Sequence, residues 1–214
     1  GVWAEENTRS AIFAAMKRRE VYATTGPRIT VRVFAGWDFE PTDIATPSLS
    51  RIGYDKGVPM GSDLTPRHGA NAPTFLLSAL RDPDGAHLDR IQVIKGWRDA
   101  RGELHEAIYD VALSDNRKPA RSGAVVPVPS TVDVKDASYS NTVGAAELSA
   151  FWRDDAFDPD HHAFYYVRVL EIPTPRWPAY DAKYFGVAEW PDEVVTVTQE
   201  RAYTSPIWYS PLVD

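Results

Sequence analysis

Ligand-type side chains crowd one stretch, "WRDDAFDPDHH". There Asp154, Asp155, Asp158, Asp160, His161 and His162 offer carboxylate oxygens and imidazoles to a cation. Their spacing fits no EF-hand loop, and adjacent histidines on a strand point to opposite faces. The stretch therefore predicts a solvated Asp/Pro turn ahead of the strand "AFYYVRV". The remaining histidines, His68, His87 and His105, are scattered, each beside turn residues. They form no HxH or HExxH motif and no His/Asp pair at ligand spacing. Serine chemistry finds no footing either, because "TTGPR" and "GVPMGSD" are neither a G-x-S-x-G elbow nor a phosphate-cradling loop. No metal ligand and no cofactor is assigned within this chain.

Two stretches remain as candidate sites. In "PTPRWPAYD", Arg176, Trp177 and Tyr180 are candidate substrate-binding residues. An arginine supplies a forked donor for an anion, and a tryptophan supplies an apolar stacking face. The same pair also suits an Arg stacked on Trp inside a domain interface. With Tyr184, Phe185, Trp190, Trp208 and Tyr209 they make an aromatic-rich C-terminal third. Packing or docking on another domain is the commoner fate of such rings, and stacking on sugars is the alternative. In "WAEEN", Glu5, Glu6 and Asn7 follow a short strand and precede a helix, the position where active sites collect in βα folds. A carboxylate there also simply complements the helix dipole.

The elements that must carry these residues change character along the chain. Ala11, Ile12, Ala15 and Met16 share one helical face with Phe13 beside them. Asn7 is the expected N-cap, and Lys17, Arg18 and Arg19 close the helix. "EVYAT" then reads as a short strand, and "TTGP" breaks it. From Arg28 the period becomes two: Ile29, Val31 and Val33 face one way, and Arg28, Thr30 and Arg32 the other. "TFLLSALR", "LDRIQVIKGW", "EAIYDVALS", "AFYYVRVLEI" and "EVVTVTQE" follow as strands, with "WRDARGE" the turn of a hairpin. The Pro-, Gly- and Ser-rich tract from "FEPTDIATP" to "RHGANAP" reads as long loops with one edge strand. "VVPVPSTVDV" reads as an edge strand tolerant of prolines. Short strands separated by turn signals favour a mainly β fold, an antiparallel β-sandwich.

Composition narrows the functional classes. The 214 residues suit one large domain or one and a half ordinary ones, and 43% hydrophobic with 25% charged residues is ordinary for a globular chain. A net charge of -7 argues against a nucleic-acid groove. Without cysteine there is no disulfide, thiolate metal site or thiol nucleophile, and the compartment stays open. No apolar run approaches the roughly 20 residues that span a bilayer. Gly1 in place of an initiator Met, with a lone βα unit before a β tract, leads to the expectation of the end of one domain followed by all of the next.

Several long strings, in order and nearly end to end, carry a resemblance. "GVWAEENTRSAIFAAMKRREVYATTGPRITVRVFAGWDF", "GVPMGSDL", "LDRIQVIKGW", "AFYYVRVLEIPTPRWPAYDA" and "QERAYTSPIWYSP" resemble the C-terminal part of the bacterial domain-of-unknown-function 3604 family. That family looks related to the PHP (polymerase and histidinol phosphatase) metal-dependent hydrolases. The resemblance implies that residues 1–27 are the strand-helix end of an upstream PHP-like α/β barrel and that 28–214 are a β-sandwich accessory domain. It implies a divalent metal, zinc, manganese or similar, held in the N-terminal part and none held here. Glu5, Glu6 and Asn7 would lie near the mouth of that site. The implied function is a non-catalytic sandwich that supports or walls the active site, with Arg176 and Trp177 reaching toward substrate or barrel. A carbohydrate-binding module and a structural or oligomerisation domain are the competing expectations. Ile12, Phe13 and Met16 should lie against the sandwich, the N-terminal part or a second copy, so a homodimer is one expected partner arrangement.

Overall fold

The computed structural model describes residues 1–67, 69, 72–119, 125–187, 191 and 193–211. In chain order the elements are α1 (Arg9–Lys17), β1 (Tyr22–Thr24), β2 (Thr30–Gly36), a 3-10 turn (Pro41–Ala45), α2 (Leu49–Lys56), β3 (Gly57–Pro59), β4 (Asp63–Leu64) and β5 (Thr74–Leu80). The long hairpin β6 (Leu88–Arg98) and β7 (Leu104–Leu113) follows, then β8 (Glu147–Arg153) and β9 (His162–Glu171). The chain closes with β10 (Thr174–Pro175), α3 (Trp177–Phe185), β11 (Val197–Thr198), β12 (Arg201–Thr204) and β13 (Ile207–Tyr209). The fold is mainly β, its sheets antiparallel apart from one parallel pair, β13 with β4.

A seven-stranded sheet is built on β9. One side of β9 pairs with β6, which carries β7; the other side pairs with β12 and then β13, which lie end to end along it. β1 joins through β12, Ala23 opposite Tyr203. A four-stranded sheet runs β3-β2-β5-β8, and β10 and β11 form a separate ribbon. Alternation decides which side chains go inward. Val31, Val33, Phe75 and Leu77 of the smaller sheet meet Ile91, Val93, Val167, Val169 and Ile207 of the larger in one core. Each such side chain contributes roughly 1.5–3 kcal/mol when fully buried.

The N-terminal segment is woven into this arrangement. Val2 bridges Val21 antiparallel, and the Trp3 indole donates to the Val31 carbonyl at 2.9 Å. α1 is the connection across that pair. Its cap is Thr8, whose hydroxyl accepts from the Ala11 amide, and not Asn7, which sits one residue outside the turn. Of its residues only Ala15 is buried.

Three expectations are corrected. The tract expected as loops contains α2, and with the 3-10 turn this helix covers the far face of β2. Phe34 and Leu76 there form a second small core with Ile44, Leu49 and Ile52 packed on it. "VVPVPSTVDV" forms no strand among the described residues: Pro127 and Pro129 lack the amide a ladder needs, and an isolated bridge, Asp133 to Ser138, is what remains. "EVVTVTQE" contracts to the two residues of β11.

Candidate functional site

Of its trio, Glu5 lines a cavity. It borders a space of about 430 Å³ with Trp3, Ala4, Arg18, Glu20, Arg32 and Tyr54. Arg32 comes from the α2-covered face of β2, Glu20 from the turn after α1, and Tyr54 from α2. The Arg32 guanidinium carbon lies 4.3 Å from the Trp3 ring centre, and its Nη1 is 3.1 Å from Glu20 Oε1. Tyr54 donates its hydroxyl to Glu20 while accepting from Arg32 Nη2 at 2.7 Å. Burial first, and the hydrogen bond to Glu20 second, push the Tyr54 phenol up. Arg32 Nη1 meets Glu20 as an ion pair without hydrogen-bond geometry, and Arg32 Nε finds no hydrogen-bond partner among the described residues. Glu6 instead accepts from the Thr8 hydroxyl at 2.9 Å, and Asn7 is exposed. The signal for this cluster was a charged residue inside an otherwise apolar strand: alternation placed Arg32 on the face opposite Val31 and Val33, as found, but not that α2 and Trp3 cover that face.

Arg176 and Trp177 come together in a second cleft, of about 570 Å³, lined also by Thr25, Pro175, Thr198, Gln199, Glu200, Arg201 and Tyr203. Arg176 is the N-cap of α3, held by its amide on the Thr196 carbonyl at 2.7 Å. Trp177 opens the helix with 65% of its surface exposed, and Tyr180, one turn on, is exposed but outside the cleft. Pro178 is tolerated in the first turn, where its missing amide is an orphan anyway, and Gly186 ends the helix at φ 67°. On the cleft's other wall Arg201 donates from Nε to the Gln199 carbonyl at 3.1 Å and from Nη1 to the Tyr203 hydroxyl at 3.5 Å. Burial raises the Tyr203 phenol, but hydrogen bonds and charge from Arg201 and Arg168 outweigh it, so its pKa lies below the ordinary value.

Tyr203 also belongs to a row of rings on the outward face of the seven-stranded sheet. Trp208 and Phe164 have centroids 5.2 Å apart, Phe164 and Tyr166 6.4 Å, and Tyr166 and Tyr203 6.4 Å. Across from Phe164 stands Gly96, where an added Cβ would sit 2.4 Å from the ring. Tyr184 and Phe185 on α3 are exposed as well. Tyr209 is not: it is buried and donates to the Pro159 carbonyl at 2.8 Å. Trp190 and His68 lie outside the described residues.

The acidic stretch does not converge. Asp154, expected in a solvated turn, is fully buried, paired with Lys95 Nζ at 2.6 Å and accepting from the Tyr165 hydroxyl at 2.7 Å. Asp155 pairs with Arg153 and Asp158 with His161 on the surface. The hairpin turn does make a His/Asp pair that linear spacing hid. His105 Nε2 lies 3.0 Å from Asp99 Oδ2, with Glu103 close enough that all three ligand atoms fall within 4.8 Å. The hydrogen bond from His105, followed by the Glu103 amide, holds Asp99 below the usual carboxylate range. These turn contacts account for the cluster.

A family model described as "Protein of unknown function (DUF3604)" matches residues 1–211. The chain belongs to this family. No curated protein and no solved structure matches it. In this DUF3604 chain the match runs through the N-terminal segment, both clefts and the aromatic row, so the family's shared sequence includes α1 as well as the sheets.

Proposed function

We propose that this chain is a non-catalytic β-sandwich that supports or walls the active site of a PHP-like, metal-dependent hydrolase, whose metal ligands lie in an N-terminal part outside the chain. One observation supports the reading. α1 turns its apolar face to solvent, with Phe13 62% and Met16 57% exposed. A nine-residue helix is too short to hold its shape alone, so that face calls for a covering surface. The Trp3–Glu5–Arg32 cavity opens beside the same segment.

Two measurements test this reading. The chain alone, supplied with zinc or manganese, should not hydrolyse phosphate or sulfate esters; turnover would overturn the proposal. In the natural polypeptide, Phe13→Glu with Met16→Glu should lower metal-dependent turnover at least about tenfold, because a charge in a dry contact costs more than 1.4 kcal/mol. Unchanged turnover would count equally against it, and a dimer of the isolated chain that these substitutions dissolve would point to a second copy on α1.

A second reading is a carbohydrate-binding module, favoured by the exposed rings of Trp177, Tyr184 and Phe185 and the outward row ending at Trp208. Rings that merely pack would be covered within the chain. Retardation of the chain in glycan-containing native gels, abolished by Trp177→Ala, is the expected result. Unretarded migration in every gel removes this reading.

A further inference from the structure

The outward face of the seven-stranded sheet changes chemistry along its length. Trp208, Phe164 and Tyr166 make one end apolar, and beyond Tyr203 the surface becomes guanidinium: Arg168, Arg201 and, across the cleft, Arg176. Some arginines are matched with carboxylates, as in Arg28 with Asp82, Arg32 with Glu20, Arg90 with Asp89 and Arg117 with Asp89, while others, such as Arg81, are met by backbone carbonyls; what sets this end apart is that three guanidiniums gather at it. Among the described residues Arg168, Arg176 and Arg201 have no carboxylate partner, in a chain that carries 30 acids to 23 bases. The cleft's own carboxylate, Glu200, is engaged by the Thr25 hydroxyl. Three neighbouring guanidiniums with a single carboxylate, Glu200, among them keep a net positive charge that suits an external anion.

The surroundings narrow that anion. A net charge of -7, with Glu200 inside the cleft, disfavours a polyanion and suits a single charge. The volume of about 570 Å³ accommodates one sugar ring with room for water. Trp177 stands at its rim with an open ring face, and Tyr203 joins the cleft to the aromatic row. We propose that this cleft binds a sugar acid, an oligosaccharide whose terminal ring stacks on Trp177 while its carboxylate is taken by Arg176 and Arg201, the neutral remainder running along Tyr203, Tyr166 and Phe164. The proposal rests on the ring-stacking reading above and adds the charge of the ligand to it.

Two probes separate the claims: a short neutral-hexose oligosaccharide ending in one uronic acid, and the same compound with its carboxyl reduced to the alcohol. Tryptophan fluorescence titration of the chain should show at least about tenfold tighter binding of the acid, with the preference shrinking in high salt. Arg176→Gln and Arg201→Gln should each weaken acid binding about tenfold and leave the neutral probe unaffected, since a charged hydrogen bond is worth about that much. Trp177→Ala should weaken both probes. Arg176 is exposed at a helix cap, so its variant keeps the fold, and unfolding midpoints confirm this for each protein. Equal binding of the two probes, insensitive to both arginine variants, would overturn the arginine assignment while the ring-stacking reading stands. Binding of neither probe would overturn both.

Discussion

Glu171 is the carboxyl with the most unusual surroundings. It ends β9, is 1% exposed, and its Oε1 finds no hydrogen-bond partner among the described residues. Burial, then the charges of Glu200 and Asp82, push its pKa from 4.5 up to about 8. For an acid raised in the folded state, the native protein binds a proton that the unfolded chain has released. Stability is then complete below about pH 4.5 and is lost as pH rises toward 8. Glu171→Gln should remove that slope, leaving stability near pH 5 almost unchanged and raising it at pH 9 by up to roughly 5 kcal/mol. Urea unfolding at the two pH values measures this, and parallel loss in both proteins would refute it. Nothing in the sequence marks Glu171, because "VRVLEI" reads as a strand end and burial comes from the loop of Asp82 to Ala86 folding over it. Arg176 and Trp177, by contrast, were legible as a pair, while their partners Arg201 and Tyr203 were not. Trp177 and Arg201 are 24 positions apart, and the two walls meet through the β10–β11 ladder, Thr174 opposite Thr198, together with the pairing of β12 with β9 and β1.

Elements were legible where periodicity was strong and hidden where short segments borrow their stability from neighbours. The hairpin β6–β7 and strand β9 followed from unbroken alternation and the "WRDARGE" turn, and α1 followed from its 3.6-residue pattern. β8 was missed because "ELSAFWR" alternates weakly, and its order comes from seven ladder partners on β5. α2 is eight residues long with a glycine inside it; Gly53 sits against the Phe34 ring, where a Cβ would come within 2.4 Å. That close approach makes the helix a product of packing and not of propensity. α3 did leave a signal, Pro178 in its first turn and Gly186 just past its end. The cap of α1 gives a direct check at this scale. Thr8→Ala should cost about 1 kcal/mol of stability and Asn7→Ala almost nothing. The reverse order in denaturant unfolding would restore Asn7 as the cap.

At the scale of the molecule, the two larger sheets share an apolar core with a buried polar tie, Lys95 with Asp154, through it. Lys95 lies on β6 of the seven-stranded sheet, and Asp154 follows directly on β8 of the four-stranded one. The pair is 2.6 Å apart, and both side chains are almost wholly buried. Lys95 also donates to the Ala156 carbonyl at 2.9 Å, and Tyr165 of β9 donates to Asp154. Burial first and the Asp154 charge second push the Tyr165 phenol far up, so it stays a neutral donor at any ordinary pH. Such a pair gains little over a well-packed apolar replacement, since desolvating two charges offsets most of their attraction. Its loss on one side only is another matter, because a lone carboxylate would be sealed in the core. Lys95→Met should therefore destabilise the protein by about 3–5 kcal/mol, and adding Asp154→Leu should recover part of that loss although the Tyr165 hydroxyl then lacks its acceptor. Restoring that packing with Tyr165→Phe in the triple variant should recover more. The three urea midpoints rank the possibilities: a single variant no worse than the triple would show that the charge pair does not join the sheets.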